Sequence, residues 1–112
     1  MEIWKNVSEI EGLEEFNNYE VSNMGRVRSL KGEVKILNLY DNGTGYRVVF
    51  LYSKGKRKKM RVHRLVAMAF IENANPNRIE VNHLNKDRAD NSISNLEWCT
   101  HKENIDHKNN NK

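Results

Sequence analysis

The stretch VNHLNKDRADNSISNLEWCTHKENIDH, Val81 to His107, decides the fold. Val81 and Leu84 flank Asn82-His83, and Leu96 alternates with Trp98, so both ends of the Asn-rich middle read as short strands. Thr100-His101-Lys102-Glu103 has the pattern of a capping box and predicts a helix start there. Asn104 and His107 stand three positions apart and share one face of that helix. Strand, loop, strand and helix in this order bring Asn82-His83 beside Asn104. Adjacent strand residues point to opposite faces, so His83 has to sit where the strand ends or twists if it is to share a cleft with Asn82.

The series Val81-Asn82-His83, Asp90-Asn91, Asn95-Leu96-Glu97-Trp98-Cys99-Thr100 and Glu103-Asn104 resembles the HNH endonucleases of phages and homing introns, with their ββα-metal unit. Asn95 follows Asn82 by thirteen positions and Asn104 by twenty-two, the spacing of that family. One departure is Asn82, where the family commonly has Asp. The resemblance implies a metal-dependent DNA endonuclease. Its general base would be His83, a task suited to an imidazole with an ordinary pKa of about 6.5. Asn95 would bond backbone across the loop and orient His83. Asn82 and Asn104 would be protein ligands of one divalent ion, Mg2+ first, with Mn2+ or another divalent ion as alternatives. His107 is the rival or supplementary ligand to Asn104. Asn82 in place of Asp removes a formal charge, so Mg2+ should bind weakly until phosphate adds its own oxygens. Asp90 and Asn91 read as caps of loop turns, and His101 as a contact to substrate or solvent.

A chain of 112 residues is one domain or one domain with an appendage. Residues 1–50 hold 6 Lys+Arg against 8 Asp+Glu, a net −2, whereas residues 51–112 hold 13 against 7, a net +6. The positive charge therefore lies with the half that carries Val81–His107, and it favours a polyanionic partner, nucleic acid before membrane. Cys99 is the single cysteine, which excludes an intramolecular disulfide and a Cys cluster for zinc. No apolar run has the length of a signal peptide or membrane span, so a cytoplasmic, intracellular protein is expected.

From the start, Trp4 and then Tyr19-Glu20-Val21-Ser22-Asn23-Met24-Gly25-Arg26-Val27-Arg28-Ser29-Leu30 predict a β-hairpin turning at Asn23-Met24-Gly25. Over roughly residues 3–30 this resembles the nuclease-associated modular motif (NUMOD) that precedes HNH units of this type. Trp4, Tyr19 and Val21 read as core, and Arg26 and Arg28 as candidates for phosphate contact. Two β-rich runs follow, Glu33–Tyr40 and Tyr46–Tyr52, joined by the turn Asp41-Asn42-Gly43-Thr44-Gly45. Beyond them six of the eight residues from Lys54 to Arg61 are basic: Lys54, Lys56, Arg57, Lys58, Lys59 and Arg61. A hairpin arm of such density suits a phosphate backbone, because each neutralised phosphate releases counterions; a solvated edge strand is the plainer alternative.

Val62 to Ile71, VHRLVAMAFI, is the clearest helix, with Val62, Leu65, Val66, Ala69 and Phe70 on one face. His63 falls off that face and reads as structural or surface. Pro76 and its neighbours end the helix, and Asn109 to Lys112 read as a frayed tail. The expectation is thus an α+β chain: an antiparallel β-rich, NUMOD-like region over 1–60 with a basic hairpin, one core helix, and an HNH unit over 61–112, packed as one compact domain. The partner expected is double-stranded DNA, nicked by a monomer. A DNA-binding module that keeps the fold without the chemistry is the alternative. An RNA-directed nuclease is disfavoured by the lack of an aromatic stacking platform or RNP-like motif.

Overall fold

The computed structural model describes residues 1–109, and the expectation for residues 110–112 lies outside them. Trp4–Asn6 (β1), Tyr19–Ser22 (β2), Val27–Ser29 (β3) and Lys35–Ile36 (β4) form an antiparallel sheet in that order. Its central hairpin turns where the sequence has Asn23-Met24-Gly25. Gly25 takes φ +85°, and Ser22 Oγ, fully buried, accepts from the backbone N–H of Met24 and Arg26 at 3.1 Å each. Tyr40–Asp41 (β5), Arg47–Ser53 (β6) and Lys56–Arg61 (β7) make a second sheet. Its basic hairpin pairs Ser53 with Lys56 across Lys54 and Gly55, both at positive φ (52° and 78°), the conformation a two-residue hairpin turn requires.

The run Glu33–Tyr40 does not pair as one strand. Lys35–Ile36 joins β3, and only Tyr40–Asp41 pairs with β6. The chain changes sheets between them, over a stretch whose Leu37 and Leu39 both pack against the core.

Val62–Phe70 (α1) runs through the middle of the molecule and touches β2, β6, β7, Glu80–His83 (β8) and Leu96–Cys99 (β9). Covered on several sides, it buries Val62, His63, Leu65, Val66 and Ala67, while Ala69 and Phe70 are only half-buried. His63 is therefore inside, the structural one of the two positions read from the helical face. The cause is the second sheet, which covers a flank the periodicity leaves polar. Trp98 Nε1 donates to Ile71 O at 2.9 Å and Arg64 Nη1 to Ile79 O at 2.8 Å, so α1 is tied to the last sheet.

β8 and β9 pair antiparallel, with Asn82 opposite Glu97 and His83 opposite Leu96. His101–Asn109 (α2) follows, so Asn109 belongs to a helix and not to a frayed tail. Its start is the predicted capping box: Glu103 N donates to Thr100 Oγ1 at 3.0 Å, and Thr100 N to Glu103 Oε1 at 2.8 Å. A single core runs from Val7 through Val21, Val27, Leu51 and Leu65 to Leu96, so the regions 1–60 and 61–112 share one interior. No helix among the described residues is long and apolar enough to cross a membrane.

Candidate active site

His83 is the last residue of β8, where the chain turns and Lys86 N donates back to His83 O at 3.0 Å. That strand end lets His83 and Asn82 line the same cleft, each 5% exposed, together with Tyr46, Arg88, Asn104 and His107. His83 Nε2 lies 2.7 Å from Asn91 Oδ1, itself buried. A carbonyl oxygen only accepts, so the ring proton sits on Nε2 and Nδ1 carries the lone pair. Burial lowers the His83 pKa, and the nearby Arg88 charge pulls the same way; the Asn91 hydrogen bond opposes them. The ring is thus held in its neutral, proton-accepting form.

The direct partner of His83 is Asn91, a residue the sequence reads as a turn cap. Asn95 acts one step away. Its Oδ1 accepts from Asn85 N at 3.0 Å, and its Nδ2 donates to Asp90 O and Asn85 Oδ1 at 2.9 Å each. Those bonds clamp both ends of the loop from which Asn91 projects. Asp90 does cap a turn, accepting from Ser92 Oγ at 2.8 Å.

The amide of Asn104 is oriented by chemistry. Nδ2 donates at 2.8 Å to Glu80 Oε1, a carboxylate whose pKa is lowered by this bond and by His101, whose Nδ1 lies 2.7 Å from Oε2. An ionised carboxylate cannot donate, so Asn104 must turn its NH2 toward Glu80 and its oxygen away. That oxygen, Oδ1, is buried without a hydrogen-bond partner, and so is Nε2 of His107 one turn later on α2. A buried oxygen and a buried ring nitrogen without partners, on two residues that line one cleft, are costly unless a polar group or an ion meets them. Asn82 Nδ2 donates to Glu97 Oε1 at 3.3 Å, which leaves its oxygen as the remaining acceptor.

These donors fit a divalent cation. Two amide oxygens are hard ligands suited to Mg2+ or Mn2+, and an imidazole nitrogen extends the set. Among the described residues no group of three His, Cys, Asp or Glu could hold a metal. The negative charge stands one bond behind, at Glu80 and Glu97, where each carboxylate polarises the amide that faces the cleft.

Three residues at this site carry no sequence signal. Tyr46, just before β6, stacks on His63 with centroids 5.1 Å apart. His63 lies 4.9 Å from His83, and burial holds its pKa down to about 3. Arg88 places its Cζ 4.4 Å from the Tyr46 ring centre. Only a tertiary contact gathers them.

The DNA-facing candidates divide. Lys54, Lys56, Arg57, Lys58 and Lys59 are exposed along the basic hairpin, and Arg61 at its base lies over the Tyr46 ring at 4.9 Å. Arg26 and Arg28, by contrast, are engaged. Arg26 pairs with Glu2, Arg28 with Glu20 at 2.6 Å, and both lie over Trp4.

Residues 2–52 match the NUMOD4 motif, and residues 60–105 match an HNH endonuclease family. The second match places an HNH endonuclease-like segment over most of the residues that line the cleft. Two uncharacterized HNH endonucleases of Acanthamoeba polyphaga mimivirus are each 42% identical to it, over 95% and 85% of this chain but only 26% and 28% of their own length. The DNA endonuclease I-HmuI of Bacillus phage SP01 is 36% identical over 92% of this chain and 55% of its own. A solved structure of DNA binding and cleavage by the HNH homing endonuclease I-HmuI superposes with a TM-score of 0.80 at 35% identity, covering 95% of this chain and 57% of that one. The chain therefore spans between about a quarter and just over half of these relatives. With I-HmuI it shares the mixed α+β fold, antiparallel sheets and two helices included.

Proposed function

We propose that the chain is the cleaving part of a metal-dependent DNA endonuclease that hydrolyses phosphodiester bonds in double-stranded DNA inside the cell, nicking one strand as a monomer. The observation that carries this reading is the cleft itself, which His83 lines together with Asn104 and His107, two residues that each hold a buried polar atom without a partner. In the reaction, His83 Nδ1 takes the proton of the attacking water, while Asn91 keeps the opposite ring nitrogen protonated and the ring aimed. Asn82 and Asn104, with His107, would hold the cation, which supplies Lewis-acid stabilisation of the phosphorane and of the leaving 3′-oxygen. Lys54, Lys56, Arg57, Lys58 and Lys59 would bind phosphates without reading sequence. I-HmuI, named for DNA binding and cleavage, supports DNA as the substrate.

The test is conversion of supercoiled plasmid by the purified chain in Mg2+ and in EDTA, beside His83→Ala. Cleavage that needs both the cation and His83 is the expected outcome. Tight DNA binding with no cleavage in any divalent ion would instead favour the module that keeps the fold without the chemistry.

A further inference from the structure

The rings of Tyr46, His63 and His83 form a closed triangle. Their centroids are 5.1 Å apart for Tyr46 and His63, 4.9 Å for His63 and His83, and 5.9 Å for Tyr46 and His83. The first pair is stacked at 19° and the other two are tilted at 32° and 39°. Tyr46 comes just before β6, inside the segment that matches NUMOD4, and its backbone oxygen closes the preceding turn by accepting from Asn42 N at 3.2 Å. The same turn holds Arg88 of the HNH segment: Arg88 Nη1 donates to Thr44 O, and its guanidinium lies over the Tyr46 ring.

We propose that Tyr46 is a positioning residue of the HNH site, fixing the His83 imidazole through His63 and holding Arg88 at the cleft. The inference rests on the reading of His83 as general base. One hydrogen bond, Nε2 to Asn91, sets the tautomer of His83 but leaves the ring free to swing about that bond. A second restraint has to come from packing, and among the described residues the aromatic rings within 6 Å are those of His63 and Tyr46. His63 contributes shape, since its Nδ1 is buried and makes no hydrogen bond. Its ring is in turn kept in place by the flat face of Tyr46. Arg88 gains from the same ring a cation–π seat that leaves its charge beside the place where the scissile phosphate has to lie.

Single-turnover plasmid cleavage in Mg2+ decides the matter, with Tyr46→Leu, Tyr46→Phe and His83→Ala compared at matched folding. Tyr46→Leu is expected to slow the bond-breaking step by about tenfold to a hundredfold, the scale of a small misplacement of a reacting group, with the loss in kcat rather than KM. Tyr46→Phe keeps the ring and should rescue the rate, which separates positioning from the hydroxyl. Wild-type cleavage by Tyr46→Leu beside an inactive His83→Ala overturns this inference and leaves the base assignment standing. An active His83→Ala overturns the base assignment itself. Should Tyr46→Leu not fold, the unmutated chain gives the answer by NMR. Cross-relaxation from His63 ring protons to both Tyr46 and His83 supports the stack, and its absence refutes it.

Discussion

Gly25 lies directly against the backbone of Asn91: a Cβ added at Gly25 would stand 2.9 Å from both the carbonyl carbon and the Cβ of Asn91. Asn23 O, in the same turn, accepts from Ile93 N at 3.0 Å. The turn between β2 and β3 is thus the floor under the residue that orients His83. Glycine is required there twice over, by the φ of +85° and by the lack of room.

Gly25→Ala should therefore cost about 1–3 kcal/mol of stability, from the strained φ and the displaced loop. The cleavage rate should fall further than the melting temperature explains, because Asn91 moves with its backbone. Thermal melting and single-turnover rates on the same preparation check this; full activity in a folded Gly25→Ala chain would show that Asn91 does not aim His83.

His83→Ala removes the proton acceptor and should lower the rate by about 10²–10⁴-fold while leaving DNA affinity close to unchanged. Filter binding in EDTA and plasmid cleavage in Mg2+ separate the two effects. A variant that binds and cleaves like the parent would end the assignment.

Asn82→Asp has two opposed consequences. It gives the cation a charged oxygen, so the Mg2+ concentration for half-maximal activity should fall. It also sets a second carboxylate against Glu97, whose Oε1 is now 3.3 Å from Asn82 Nδ2, so the metal-free chain should melt at a lower temperature and Mg2+ should restore it. A titration midpoint that stays put or moves upward would remove Asn82 from the metal shell.

Changing Lys56, Arg57, Lys58 and Lys59 to Gln should weaken binding to every DNA sequence alike and flatten the slope of log K against log salt. These side chains are exposed, so folding should be unaffected. An unaltered salt slope would return the hairpin to the role of a solvated edge.

One His83 with one Asn82–Asn104 pair is a single site with a single polarity, and the two DNA strands run antiparallel. Supercoiled plasmid should pass to open circle before any linear form appears, at a rate first order in protein. Linear product without that intermediate, with second-order dependence, would require two chains acting together.

The parts of the site that were legible are those encoded locally. Thr100 and Glu103 announce the start of α2, Asn82-His83 and Leu96–Trp98 announce two strands, and a few residues of spacing carry Asn104 to the same cleft. The antiparallel α+β class followed from the same local patterns. Helical periodicity leaves His63 between a structural and a surface position because it sees only one buried flank, and α1 has several. Asn91 reads as a turn cap by sequence because Asn is common in turns; that it faces His83 depends on the clamp made by Asn95. Tyr46 was invisible because nothing near it in sequence needs it. Arg26 and Arg28 are candidates for phosphate contact by sequence, and their pairing with Glu2 and Glu20 is created by folding.

The shared interior also bears on how such chains are inherited. α1 meets strands from both matched segments, and the Gly25 turn and the Tyr46 ring reach across to Asn91 and His83 respectively. A recombinant that joined this N-terminal half to an unrelated nuclease half would lose both supports at the crossover. Descent should therefore keep the two halves together, with substitutions at Gly25 and Tyr46 matched by changes at Asn91 and His63 rather than drifting independently.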